Sequence, residues 1–171
     1  SRSRRQRQMC IRDRYWFHRG CHEIPFLWRF HRIHHNPQRL YWFNATRFHY
    51  IDVTLLQVSG ILPLLILGAE AKIIALVTIF STVHGFWQHI NAQQDQRILN
   101  YIFSGPELHR WHHNVKSEIA NHNYGNNLII WDHVFKTFYW PECDKKELKK
   151  VGVQGNFSNN IKSMTLDPFK G

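Results

Sequence analysis

His31-Arg32-Ile33-His34-His35 and His109-Arg110-Trp111-His112-His113 carry the same HxxHH pattern. On a helix, positions i, i+3 and i+4 share a face, so each copy is expected to aim three imidazoles the same way. Histidine fills 13 of the 171 positions. At that frequency a chance HxxHH is expected only about 0.07 times in the chain, so two copies are not coincidence. His18 and His22 stand one helical turn apart before the first copy, and His84 and His89 precede the second. So many imidazoles exceed the four ligands of one tetrahedral zinc. They suit a two-metal centre, of iron, zinc or copper rather than magnesium or calcium.

Other chemistries fail on spacing. His22-Glu23 is followed by Pro25 and Phe26 where HExxH needs its second histidine. No glutamate stands three before a histidine, as carboxylate-bridged bundle sites require. There is no GxSxG elbow and no glycine-rich phosphate loop. Cys10, Cys21 and Cys143 lack ligand spacing, so they exclude a four-cysteine iron–sulfur cluster and fit a reducing compartment.

The net charge of +10 raises a nucleic-acid reading, but half of it lies in residues 1–14, where six arginines face one aspartate. That run has no signal-peptide pattern and reads as a basic arm or a cloning or sequence-assembly scar. A basic nucleic-acid domain also has no use for the apolar segment 51–87, so no nucleic-acid partner is expected.

The elements that must position the histidines follow from the pattern. Residues 15–24 read as a helix ended by Pro25, and 26–35 as a second one stopped by Asn36-Pro37. Ile51–Leu67 and Ala71–Trp87 are apolar arms around Gly68-Ala69-Glu70. Each spans about 25 Å as helix, near the lower limit for a hydrocarbon core of about 30 Å. A buried soluble hairpin is the other solution. Two crossings would return the chain to the face it left, so both triads lie on one side. The arginines of residues 19–47 make that side cytoplasmic. Residues 128–138 read as an amphipathic helix, and 141–171 as a cytosolic extension. Asp132 either holds an imidazole through its second N–H or is a solvated surface residue, and Asn91, Glu107 and Asn114 flank histidines.

HRGCH, FHRIHH and PELHRWHH, followed by NYGNNLIIWD, resemble the fatty acid hydroxylase/sterol desaturase superfamily of integral-membrane di-iron oxygenases. The resemblance runs from about Asp13 to Phe169. It implies an all-α fold, a membrane helical hairpin plus a cytosolic helical cap, with residues 15–140 as the catalytic domain. It also implies two irons (zinc as a possible substitute), dioxygen, a lipid substrate and an external donor such as ferredoxin, cytochrome b5 or a reductase. By motif position the implied ligands are His18, His22, His31, His34, His35, His84, His89, His109, His112 and His113. The two triads are expected to be catalytic. The alternative is a truncated or zinc-loaded membrane protein that holds metal without turnover. Departures are the missing helices before the first box, which make the chain read as the C-terminal part of a longer protein, and three residues. Lys136 stands where the family pattern WDxxFGT has glycine, His133 where an apolar residue is usual, and His122 is not a regular ligand.

Overall fold

The computed structural model describes residues 14–92, 96–141, 147–155 and 160–170. The described residues are all-α, with two isolated antiparallel bridges, Phe103 with Leu128 and Asn114 with Val151. Residues 1–13 of the basic run 1–14, including Cys10, lie outside them, as does Cys143, while Arg14 opens the first helix.

Helix α1 (14–23) and α2 (Pro25–His35) are separated by one residue. Ile24 is extended, as a residue before proline prefers, and Pro25 opens α2 where its missing N–H costs nothing. A one-turn 3-10 segment (Trp42–Thr46) leads to α3 (Tyr50–Ile66). There His49 caps the helix by accepting the Ile51 N–H at 3.2 Å, and Asp52 sits in the first turn, where a negative charge is favoured. Gly68 reverses the chain at φ +70°, a conformation only glycine adopts freely, and α4 runs from Ala71 to Gln88. Helix α5 (Pro106–His112) carries the second motif, and three short helices follow: α6 (Ser117–Ala120), α7 (Ile130–Val134) and α8 (Ile161–Leu166).

The expected hairpin therefore forms, but the expected crossings do not appear as spanning helices. No helix among the described residues is long and apolar enough to cross a membrane. The arms do keep apolar outer faces, with Val58, Leu62, Leu65, Ile66, Leu76, Ile79, Phe80 and Val83 all exposed. The arms also diverge. Helix α3 leans on α2, whereas α4 packs on the Trp42–Thr46 turn and on α5. The C-terminal segment closes the outer side of α2, where Phe169 meets the Phe30 ring at 5.5 Å.

The interior is unusual in composition. Tyr15, Leu40, Leu108, Trp111, Tyr124 and Ile129 are fully buried, and so are His35, His112 and His113. An apolar core would not bury so many imidazoles unless something there used their nitrogens.

Candidate metal centre

The histidines divide into two groups whose ring nitrogens each lie within 4.8 Å of one another. One holds His18, His22, His31, His35 and His112; the other holds His34, His89, His109 and His113. Neither HxxHH stays together. The first motif gives its i and i+4 residues to the five-histidine group and its i+3 residue to the other. The second motif does the reverse. The reason is angular: on α2 and α5 the i and i+4 side chains point about 40° apart and the i+3 side chain about 60° to the other side, so the triad fans across two sites.

The spacing fits a metal. Nε2 atoms stand 3.2 Å apart for His18–His31 and His31–His35, and 3.1 Å for His18–His112. In the second group the separations are 3.3 Å for His34–His89 and 3.1 Å for His89–His109 and His109–His113. Imidazole nitrogens about 2.0–2.1 Å from one ion stand about 3.0–3.4 Å from each other. His22 Nε2 is buried with no hydrogen-bond partner among the described residues. A nitrogen in that position incurs a desolvation cost unless it binds something.

Outer hydrogen bonds fix which nitrogen faces inward. Nδ1–H donates to the Tyr124 carbonyl from His18 (2.8 Å), to the Arg47 carbonyl from His34 (3.2 Å), to the Gly85 carbonyl from His89 (2.7 Å) and to the His122 carbonyl from His112 (2.8 Å). His22 Nδ1 meets Asn121 Oδ1 at 3.2 Å, and His31 Nδ1 meets Asp52 Oδ2 at 2.9 Å. With the proton committed to Nδ1, the Nε2 lone pair is left for the centre. Burial acts in the same direction: it lowers His18 to about 3 and His89 to about 4, and holds His22, His34, His35, His109, His112 and His113 well below the usual imidazole value.

Asp132 is neither solvated nor bonded to an imidazole. It is fully buried, and its carboxylate accepts the backbone N–H groups of Tyr124 (2.8 Å) and Gly125 (2.7 Å) and the Thr137 hydroxyl (2.7 Å). It clamps the turn whose Tyr124 carbonyl orients His18, so its influence passes through the backbone. Lys136 closes the same loop at φ +58°, which explains why the family pattern has glycine there.

Other candidates lie elsewhere. His84 stands outside both groups and donates Nε2–H to the Ser104 carbonyl at 3.1 Å. His49 bonds Thr165, His122 bonds Ile119, and His133 stacks on Phe138. Asn91, Glu107 and Asn114 bond Arg110, Asn100 and Glu147 respectively. The residue that sequence reasoning missed is Asp52, which reads as a polar interruption of an apolar helix. The available signal was an acid that the arm had no reason to carry.

A cavity of about 270 Å³ opens between the diverging arms and reaches both groups. Val53, Leu56 and Gln57 of α3 face Thr78, Ser81, Thr82, Gly85 and Phe86 of α4 across it, and His18, His31, His34, His89 and His109 border it.

Residues 13–137 match the family model described as fatty acid hydroxylase. The chain belongs to the fatty acid hydroxylase family. It is 36% identical over 155 residues to "Ornithine lipid hydroxylase OlsE" of Rhizobium tropici, an alignment covering 91% of this chain and 46% of that protein. It is 35% identical over 133 residues to "Alkylglycerol monooxygenase" of Danio rerio, covering 77% of this chain and 29% of the relative. The human protein of that name is 32% identical over 125 residues, covering 72% and 27%. The chain thus spans less than half the length of these family members. No solved structure matches it.

Proposed function

We propose that this chain carries the catalytic centre of a membrane-bound di-iron oxidoreductase that uses dioxygen to hydroxylate or desaturate a lipid. The carrying observation is the pair of adjacent all-imidazole groups bordering one cavity between two apolar-faced helices. In this reading His18, His22, His31, His35 and His112 hold one iron and His34, His89, His109 and His113 the other. Two irons bound there would supply electrons and oxidising power for dioxygen-dependent attack on an unactivated C–H bond. Residues 15–140 form the catalytic domain, with the 51–87 hairpin seated in the bilayer and the histidines and residues 141–171 on the cytoplasmic side.

The chain's own contribution is positional. The outer carbonyls and Asp52 hold each ring so that its lone pair faces inward. Val53, Leu56 and Phe86 give an alkyl chain a water-poor berth beside the imidazoles, while Gln57, Thr78, Ser81 and Thr82 can hydrogen-bond its polar end. The exposed apolar faces of α3 and α4 would let a lipid enter from the side. The relatives' names, for an ornithine lipid hydroxylase and an alkylglycerol monooxygenase, support a lipid substrate. Electrons would come from a ferredoxin, cytochrome b5 or reductase.

The test is iron per chain, oxygen consumption and comparative lipid mass spectrometry of membranes with and without the full-length protein. Two irons and an oxidised lipid are expected. Zinc occupancy with no oxygen consumption would instead mark the non-catalytic alternative.

A further inference from the structure

The two histidine groups differ in one respect outside their ligand counts. Among the described residues the buried carboxylates are Asp52 and Asp132. Asp132 is spent on the 124–125 turn and Thr137. Asp52 instead touches an imidazole directly: its Oδ2 accepts the His31 Nδ1–H at 2.9 Å, with the Asp52 side chain 2% exposed and that of His31 3%. The other outer partners, at His18, His22, His34, His89 and His112, are neutral carbonyl or amide oxygens. His31 is also central to its group, because its Nε2 lies 3.2 Å from both His18 Nε2 and His35 Nε2. From α1, Cys21 places its thiol 3.9 Å from Asp52 Oδ1. Burial pushes that thiol up, so it faces the carboxylate as a weak donor.

We infer that Asp52 is a positioning residue that makes the two metal sites unequal, rendering the five-histidine site the tighter one. This rests on the two-metal reading above. A carboxylate on the second ring nitrogen fixes the tautomer and raises the basicity of the coordinating nitrogen, which a neutral carbonyl does less well. It also places one negative charge beside a site whose ligands are all neutral. Among the described residues the four-histidine site lacks any such partner, and there His109 Nδ1 and His113 Nδ1 have no hydrogen-bond partner. Beyond the five-to-four difference in ligands, the inequality therefore lies in a residue supplied by the hairpin helix.

The experiment uses the full-length protein in detergent, loaded with Co2+ and challenged with graded chelator. Wild type is expected to hold two Co2+ per chain and release them in two steps. In Asp52→Asn, which keeps an acceptor oxygen but no charge, the tighter step should move to about 10–100-fold lower chelator strength, with the other step unchanged. The same substitution should weaken the remaining Co2+ in a His109→Ala background and change nothing in a His35→Ala background. Should Asp52→Asn lose its helical circular dichroism, the wild-type protein still decides. Loaded with Zn2+ and labelled with 15N-histidine, it should show one Nδ1–H proton well downfield of the rest, absent in His31→Gln. Two Co2+ in wild type with unaltered release in Asp52→Asn, or no such downfield proton, overturns the role of Asp52 alone. Fewer than two Co2+ in wild type overturns the two-metal reading and this assignment with it.

Discussion

His35 and His113, the last residues of the two motifs, stack face to face with ring centroids 4.1 Å apart and planes 18° from parallel, yet their nitrogens serve different groups. The stacked pair is the wall between the two sites. In the proposed two-iron reading, removing His35 takes a ligand from one site and the packing partner of a ligand from the other. His35→Ala and His112→Ala are each expected to reduce bound iron and to leave under about 1% of product formation, because water replaces a buried imidazole poorly. Helical content should stay near wild type. His133→Ala, which loses ring stacking on Phe138 at 4.1 Å and on Tyr101 at 6.1 Å, should retain iron and turnover. Iron per chain and oxidised lipid in membranes check all three variants.

The cavity gives a substitution that spares the centre. Gly85 lies in α4, lines the cavity, and a Cβ added there meets nothing within 4 Å. Gly85→Phe should therefore fold and bind metal normally while filling the berth. Product should fall at least tenfold with two metals retained per chain.

Lys136 stores strain that glycine would release. An L-residue at φ +58° costs roughly 1–2 kcal/mol, so Lys136→Gly should stabilise the protein by about 1 kcal/mol after the extra freedom of glycine in the unfolded chain is subtracted. Thermal or denaturant unfolding of the two proteins side by side measures it. Asp132→Asn should act oppositely. It turns one acceptor into a donor facing donors, strands a backbone N–H at the 124–125 turn, and should cost about 1–3 kcal/mol.

Acid should destabilise the chelator-stripped protein. Folding lowers His18 to about 3 and His89 to about 4, against about 6.5 for an unfolded imidazole. The unfolded chain thus takes up protons that the folded chain refuses. This contribution is complete above about pH 6.5 and is lost as the pH falls through the folded values. Asp132 runs the other way, since burial raises it to about 6, and its contribution fades as the pH rises through that value. The histidines outnumber it. The unfolding midpoint should drop from pH 7.5 to pH 5, and a flat or rising profile would contradict the burial of neutral imidazoles.

The sequence by itself determined the all-α class, the helix breaks at Pro25 and Asn36-Pro37, the hairpin turn at Gly68, and nine of the ten histidines it singled out, which gather in two groups while His84 does not. These are readable because periodicity, proline and glycine act over a few residues, and two HxxHH copies leave little room for another chemistry. The departure at Lys136 came from the family resemblance, whose glycine at that position marks a backbone angle. Tertiary structure alone decided how the histidines are shared. The i+3 residue of each motif crosses to the other group because α2 and α5 face each other from opposite sides, a relation set by packing across some 75 residues of chain. It also decided that His84 turns to Ser104 and that Asp132 acts through a backbone turn. The apolar arms look alike in hydropathy whether they pack together or splay. Their separate partners, α2 for one and α5 for the other, open the cavity. Asp52 was hidden for the same reason: a lone acid in an apolar helix has no meaning until the helix bearing His31 is laid beside it.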